Sequence, residues 1–284
     1  MDTARRPRVM ASPWLLLGPS LVVMLLLFGW PLAQGLFAAF HADDGFTLAH
    51  WTRMFADPYF TTALRNTLLL VVVVVPIQFV LAIGMALLLQ SRPKFASTHF
   101  YLWTIPLALS ELGAGLVWLA IFSQRGYANS LLSWLGLGDG IGWLNYDNPT
   151  GMLFAVVVAE VWRATSLVFV IVIAGLQMAP RDYDEAAQVF GASAWSRLWH
   201  VTLPMIRPSL QVALILRTIL AIQVFAVAQA LTGRNFPLLV GETYQWYTNL
   251  QNASVASALA LVVLGISLVA SIGYLRTLRR PEER

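Results

Sequence analysis

Cysteine is absent from the 284 residues, which excludes disulfides, thiolate metal sites and cysteine nucleophiles. Lysine occurs once, as Lys94 behind Pro93, so the chain has no P-loop, which needs Gly, four residues, then Gly-Lys-Ser/Thr. Neither Gly-x-Ser-x-Gly nor His-Glu-x-x-His is present, and His41, His50, His99 and His200 show no ligand spacing. No catalytic residue, metal site or cofactor site is therefore expected. Charge is scarce too: Asp, Glu, Lys and Arg make up 11% of the chain, against about a quarter in soluble domains. The net charge of +4 is spread thinly, with no basic run interleaved with aromatics, so nucleic acid is not an expected partner.

What fills the chain is apolar. Hydrophobic residues make up 58% and the mean hydropathy is +0.69. A membrane-crossing helix needs roughly 20 predominantly apolar residues. Six stretches approach that, at about 14–40, 67–90, 100–123, 152–175, 208–231 and 254–275. The first follows Arg5, Arg6 and Arg8, as a signal peptide would, but it is twice the length of a signal h-region of about 7–15 residues. It is read as a retained anchor helix. Pro19, Pro31, Pro76 and Pro106 fall in or near the spans, where bundled helices tolerate them. The expected fold is an all-α membrane protein, with six transmembrane helices forming a single domain over residues 1–284.

Orientation follows from the arginines and the one lysine. With the N-terminus in the cytoplasm, inner segments hold Arg5, Arg6, Arg8, Arg92, Lys94, Arg181, Arg197, Arg207, Arg276, Arg279, Arg280 and Arg284. Outer segments hold only Arg53, Arg65, Arg125 and Arg234. Both termini are expected on the cytoplasmic side of the cell membrane.

The connection between the fourth and fifth spans, about 177–207, is unlike the others. Asp182 followed by Glu185 is close to a capping box, Gly191 suits a left-handed helix end, Ser193 can cap a second helix, and Pro204 ends the unit. The result is two short helices around a glycine elbow. Val189, Phe190, Trp195, Leu198 and Trp199 are too many apolar residues for a solvated loop and call for a protein groove.

Glu185-Ala186-Ala187, then Gly191, then Val201, Leu203 and Pro204, resembles the EAA-loop signature of permeases in binding-protein-dependent ATP-binding-cassette importers. Asn66-Thr67, Gly126 to Leu137, Trp143-Leu144, Trp162, Ala174 to Gln177 and Leu231-Thr232-Gly233 are similar to the maltose-type carbohydrate permeases. The resemblance implies that Glu185, Ala186, Ala187, Gly191, Val201, Leu203 and Pro204 couple the chain to an ATPase. It also implies four partners: a second related permease, an ATP-binding-cassette ATPase dimer that uses ATP and magnesium, an extracytoplasmic sugar-binding protein, and a di- or oligosaccharide substrate. This chain would itself be no enzyme and carry no cofactor. Two positions depart from the pattern. Phe190 stands where the family usually has an acid, and Arg234-Asn235-Phe236 interrupts the usual Gly-Gly-Pro.

Four charges fall inside the expected spans: Glu111, Glu160, Arg163 and Arg217. Each costs about 2.5–3.5 kcal/mol at mid-membrane on insertion scales, so each should face the bundle interior or another charge. Glu160 and Arg163 share a helix face at spacing i,i+3, and Arg217 can pair with Glu160 or Glu111. Two readings stand: a buried network that fixes helix register, or a sugar pathway lined by Arg217, Gln223, Glu160, Arg163 and Glu111. Gln229 is a weaker candidate. Trp103, Trp118 and Trp162 suit interface anchoring or stacking on a sugar. Other readings are a permease for a polyol, glycerol phosphate or polyamine, or a secondary transporter. An anion would suit Arg217; a polyamine would call for more acids. The internal repeats frequent in secondary transporters are not evident.

Overall fold

The computed structural model describes residues 13–91, 93–138, 140–180 and 182–277. Arg5, Arg6, Arg8, Arg92, Arg181, Arg279, Arg280 and Arg284, used above to orient the chain, lie outside them. The described residues are overwhelmingly helical.

Helix α1 (Pro13–Met24) continues through a π-helical turn at Leu25–Gly29 into α2 (Trp30–Phe40). Residues Leu17–Phe40 thus make one apolar rod of 24 residues, long enough to cross a membrane. Its own chain hardly covers it: Leu25, Leu26, Leu27, Phe28 and Trp30 are all exposed. A two-residue hairpin, β1 (His41–Ala42) against β2 (Gly45–Phe46), and α3 (Ala49–Ala56) lead to the long helix α4 (Pro58–Gln90). Asp57 starts α4, its carboxylate accepting from the Tyr59 amide at 2.9 Å with Pro58 at the first helical position.

Helix α4 is the spine. At 33 residues it is about 50 Å long, so it starts nine residues ahead of the apolar stretch at 67 and outruns the hydrocarbon thickness. Phe60, Ala63, Thr67, Leu70, Val74, Gln78, Ala82 and Ala86 are buried at spacings of three and four, one stripe down one face. Three core clusters stack along that stripe: around Phe60 and Ala63, around Leu70 and Val74, and around Ala82 and Ala86. The opposite face exposes Leu68, Val72 and Val80, apolar surface that suits lipid and not water.

The third stretch is not one straight helix. Helix α5 (Ala96–Thr104) runs into a 3-10 turn at Ile105–Ala108, and α6 (Glu111–Phe122) sets off at 102° to it. Pro106 cannot donate into a helix. Leu109 and Ser110 are extended, and the Ser110 hydroxyl caps α6 by accepting from the Gly113 amide at 3.0 Å. After α6 comes α7 (Tyr127–Trp134), anchored through Asn129. The Asn129 side chain binds Gln124, both backbone groups of Ile141, and the Trp143 indole N–H.

Helix α8 (Pro149–Met178) packs along α4 and is buried over half its most apolar stretch. The fifth stretch also departs from expectation. It is α12 (Arg207–Ile222) and α13 (Ala226–Thr232), separated by a break at Gln223, Val224 and Phe225. Neither glycine nor proline marks that break. Tertiary packing sets it: Phe225 lies against Tyr244 with centroids 5.2 Å apart. Helix α13 also nests on α6 where Gly115 lets it approach, since a Cβ there would meet Ala230 at 2.7 Å. Helices α14 (Leu239–Thr248) and α15 (Ala253–Thr277) complete the chain. Among the described residues four helices are long and apolar enough to span a membrane, or up to six if the bent pairs Ala96–Ala108 with Glu111–Trp134 and Ala194–Met205 with Arg207–Ile222 each count as one span.

Candidate functional site

The first candidate region is the elbow between α8 and α12. Helix α9 (Asp182–Val189) carries Asp182, Asp184 and Glu185 in its first turn, where carboxylates suit the positive helix end. Asp182 is the first described residue of the helix, where the sequence placed its start. Gly191 has φ +78°. Its amide donates to the Gln188 carbonyl at 2.9 Å and the Ala192 amide to the Ala187 carbonyl at 3.0 Å, the two bonds of a Schellman end. Ser193 caps α10 (Ala194–Arg197), accepting from the Ser196 amide at 3.2 Å. The chain continues through a π turn (Leu198–Thr202) and α11 (Leu203–Met205). Pro204 does not end the unit. It sits inside α11, and the turn comes at Ile206, where α12 departs at 74°.

The two arms are tied. Arg197 Nε lies 3.5 Å from Asp184 Oδ1, and Gln188 donates to Asp184 Oδ2 at 2.9 Å. The apolar residues around this tie are uncovered: Val189 is 85% exposed and Phe190 89%, with Trp195 and Trp199 also exposed and edge-to-face. Phe190 caps the outermost corner, just ahead of the left-handed glycine. Between the elbow and the ends of α4 and α8 lies a cleft of about 550 Å³, reached by Leu87, Gln90, Leu176, Pro180 and Glu185.

The second region gathers the intramembrane charges. The Arg217 guanidinium on α12 donates through Nη2 to Glu160 Oε1 at 2.8 Å. Arg163, one turn along α8 from Glu160, donates to the same oxygen at 2.9 Å and to Glu111 Oε1, also at 2.9 Å. Gln78 on α4 closes the group: its amide oxygen accepts from Arg217 Nε, and its amide nitrogen donates to the Glu160 carbonyl at 2.9 Å. Glu160 and Gln78 are 0% exposed and Arg217 1%. Four helices meet at two carboxylates and two guanidiniums. The pairing of Arg217 is with Glu160, not Glu111, and Arg217 Nη1 is buried without a partner among the described residues. Gln78 was not picked out from the sequence, since a single glutamine in an apolar run carries no pattern.

Of the remaining pathway candidates, Gln223 stands at the break between α12 and α13 with its side chain exposed, and Gln229 is half-buried one turn into α13. Gln229 lines a narrow crevice with Phe225, Arg234, Glu242 and Gln245. The Arg234 departure is structured. Its guanidinium grips Glu242 through two bonds of 3.1 and 2.7 Å and lies 4.0 Å from the Tyr59 ring centroid. Hydrogen bonding to Glu242 raises the Arg234 pKa above its usual value. Asn66 donates to the Pro237 carbonyl at 3.1 Å, and Thr67 accepts from the Leu239 amide at 3.1 Å. Those two residues pin the segment leading into α14. Trp103 packs edge-on against Phe169, and Trp118 edge-on against Trp162.

Comparison with known proteins gives a consistent set of relatives. The family model described as binding-protein-dependent transport system inner membrane component matches residues 95–280. The sulfoquinovosyl glycerol transport system permease protein SmoG of Agrobacterium fabrum is 31% identical over 278 residues, spanning 93% of this chain and 89% of the relative. The trehalose/maltose transport system permease protein MalF of Thermococcus litoralis is 30% identical over 278 residues, spanning 93% and 92%. In fold, the chain is similar to a chain in the crystal structure of a bacterial ABC transporter involved in the import of the acidic polysaccharide alginate. The TM-score there is 0.81 at 21% identity, covering 94% of this chain and 96% of that one.

Proposed function

Since the chain belongs to the family of inner membrane components of binding-protein-dependent transport systems, we propose that it is the permease subunit of an ATP-driven sugar importer, moving a di- or oligosaccharide by alternating access. The elbow carries this reading. It is a rigid, hydrogen-bonded corner with an apolar tip, on the connection that leads straight into α12, and its tip needs a groove on another protein. An ATP-binding-cassette ATPase dimer, holding ATP and magnesium, supplies that groove. Glu185, Ala186, Ala187 and Gly191 shape the first arm and its end; Val201, Leu203 and Pro204 carry the second into the membrane. The chain itself binds no nucleotide.

In this reading α5 with α6 makes one span and α12 with α13 another, giving six spans in a single domain over residues 1–284 with both termini in the cytoplasm. A second related permease completes the path, and an extracytoplasmic sugar-binding protein delivers the solute. ATP closes the ATPase dimer and moves the elbows. Packed interfaces are bistable, so a small displacement there becomes a change of access. The pathway candidates are Gln223, exposed at the helix break, and the charge cluster of Glu111, Glu160, Arg163 and Arg217.

A second reading, a solute bearing a sulfonate or phosphate, draws support from relatives such as the sulfoquinovosyl glycerol permease. Reconstitution of the complex in proteoliposomes tests the function. ATPase activity should rise with the loaded binding protein and only for the sugar that is taken up. Equal stimulation by every solute, or none by any sugar, would remove the sugar reading.

A further inference from the structure

The reading of the chain as a permease driven through its elbow, on which this inference rests, implies that α12 shifts against the helices beside it. Much of the face that α12 lays on those helices is small. Ala213 lies in one core cluster with Ala82 and Ala86, and Ala221 is buried too. Ser209 sits so close to α8 that a Cβ on Gly175 would meet its Oγ at 2.6 Å. Small side chains let backbones approach closely but offer shallow ridges, so polar contacts set the register. Among the described residues, Arg217 is the one α12 side chain that bonds to α4 and α8. The other polar links of α12 to a neighbouring helix, from Arg207 and Thr218, go to α15.

The two bonds that hold Arg217 are not equivalent. Glu160 Oε1 accepts from Arg217 Nη2 at 2.8 Å and from Arg163 Nη2 at 2.9 Å, and Arg163 Nε reaches Glu160 Oε2 at 3.3 Å. Glu160 therefore keeps a cation when Arg217 moves away. The bond to Gln78 has no such substitute. Gln78 Oε1 accepts from Arg217 Nε, while Gln78 Nε2 donates to the Glu160 carbonyl at 2.9 Å. That second bond fixes the orientation of the amide, since a flipped amide would turn N–H toward the guanidinium. It also ties Gln78 to α8, so the amide oxygen cannot follow α12. Arg217 Nη1, buried with no partner among the described residues, is a donor free to meet another acceptor as α12 shifts.

We propose that Gln78 is a positioning residue of the transport switch. Its amide oxygen holds Arg217, and with it α12, in the resting arrangement, and release of that bond lets α12 follow the elbow. The carboxylate of Glu160 attracts either guanidinium over a range of positions, whereas the amide is a short-range, directional acceptor that marks one register. A hydrogen bond to a charged group is strong enough to shift a two-state equilibrium by about tenfold or more.

ATP hydrolysis by the complex in proteoliposomes tests this, the complex being this chain with its partner permease and ATPase. The rate is measured without binding protein, and again with binding protein loaded with trehalose or maltose. Gln78→Met keeps the length of the side chain and removes the acceptor. Its rate without binding protein should rise about tenfold, and the further rise on adding loaded binding protein should shrink. Gln78→Glu keeps an acceptor for Arg217, so its rate without binding protein should stay at or below that of the wild type. The two variants are alike in size, so a packing role alone would not separate them. A wild-type rate in Gln78→Met, or an equal rise in both variants, would overturn the proposal. Gln78→Asn draws the acceptor back by one methylene and should raise the rate as Gln78→Met does. It decides the matter where Gln78→Met fails to assemble, and a wild-type rate there would overturn the proposal too. Failure of trehalose and maltose to stimulate the wild type would count against the sugar reading and leave this test intact, because the rate without binding protein needs no solute.

Discussion

Removing one member of a buried ion pair costs more than the pair is worth, because the other member stays behind uncompensated. Glu160 is fully buried and serves two guanidiniums, so Glu160→Gln should be the most damaging single change in the cluster, destabilising by about 3–5 kcal/mol. Arg217→Gln leaves Glu160 still paired to Arg163 and should cost less. The double change Glu160→Gln with Arg217→Gln leaves Arg163 on Glu111, neutral again, and should recover much of the folded protein. Yield and melting temperature of the detergent-purified chain read all three, and a double variant no better than Glu160→Gln alone would mean the charges do not act as a unit. The cluster was half legible in the sequence. The spacing of Glu160 and Arg163 and the cost of charge in an apolar run predicted the pairing, while the role of Gln78 and the choice of Glu160 over Glu111 depend on which helix faces meet. Two sequence readings of Arg217 stood open, ion pair or pathway. Its geometry is that of an ion-pair partner, held by Glu160 and Gln78.

Among the elements, the elbow was read in advance and the spans only in outline. Turn chemistry is local: a glycine followed two residues later by serine gave the helix end, the left-handed position and the second cap, all as found. Gly191→Leu places a side chain at φ +78°, with strain of about 1–2 kcal/mol. Nothing within 4 Å obstructs the new side chain, so the chain should still insert in the membrane at normal abundance, while uptake by the assembled complex is lost. Normal uptake would sink the docking role of the corner. Breaks are harder to read from sequence. The bend before α6 had a signal in Pro106 and in Ser110 followed by Glu111, which hydropathy alone overrode. The break between α12 and α13 had none, since the run from Ile222 to Val227 reads as helix and only packing against α6 and α14 interrupts it. A Gly115→Val variant should prise α13 off α6, given the 2.7 Å approach to Ala230. The expected result is a loss of stability of about 1–3 kcal/mol, seen as a lower melting temperature, and an unchanged melt would contradict the close packing.

For the whole molecule, the orientation proposed from the arginines has a direct test, because a chain without cysteine gives no labelling background. Ser130→Cys, on the exposed face of α7, should react with an impermeant thiol reagent added outside intact cells. Val189→Cys, at the elbow, should react only after the cells are opened. Equal labelling of both would overturn the proposed topology. Asn129 would be a poor choice for the outer site, since its side chain is buried in four hydrogen bonds. The overall class was legible because hydrophobic length and scarcity of charge are properties of composition. The number of spans was less so, because bent pairs count as one or two depending on shape. One angle has a mechanical consequence. The elbow meets α12 at 74°, nearly a right angle, so the pair works as a bell crank: a pull along the second arm of the elbow reaches α12 mainly as a torque about Ile206 and only slightly as a tug along its axis. Arg217 rides almost three turns out on that crank, and its grip on Gln78 and Glu160 is then the stop against which the crank turns.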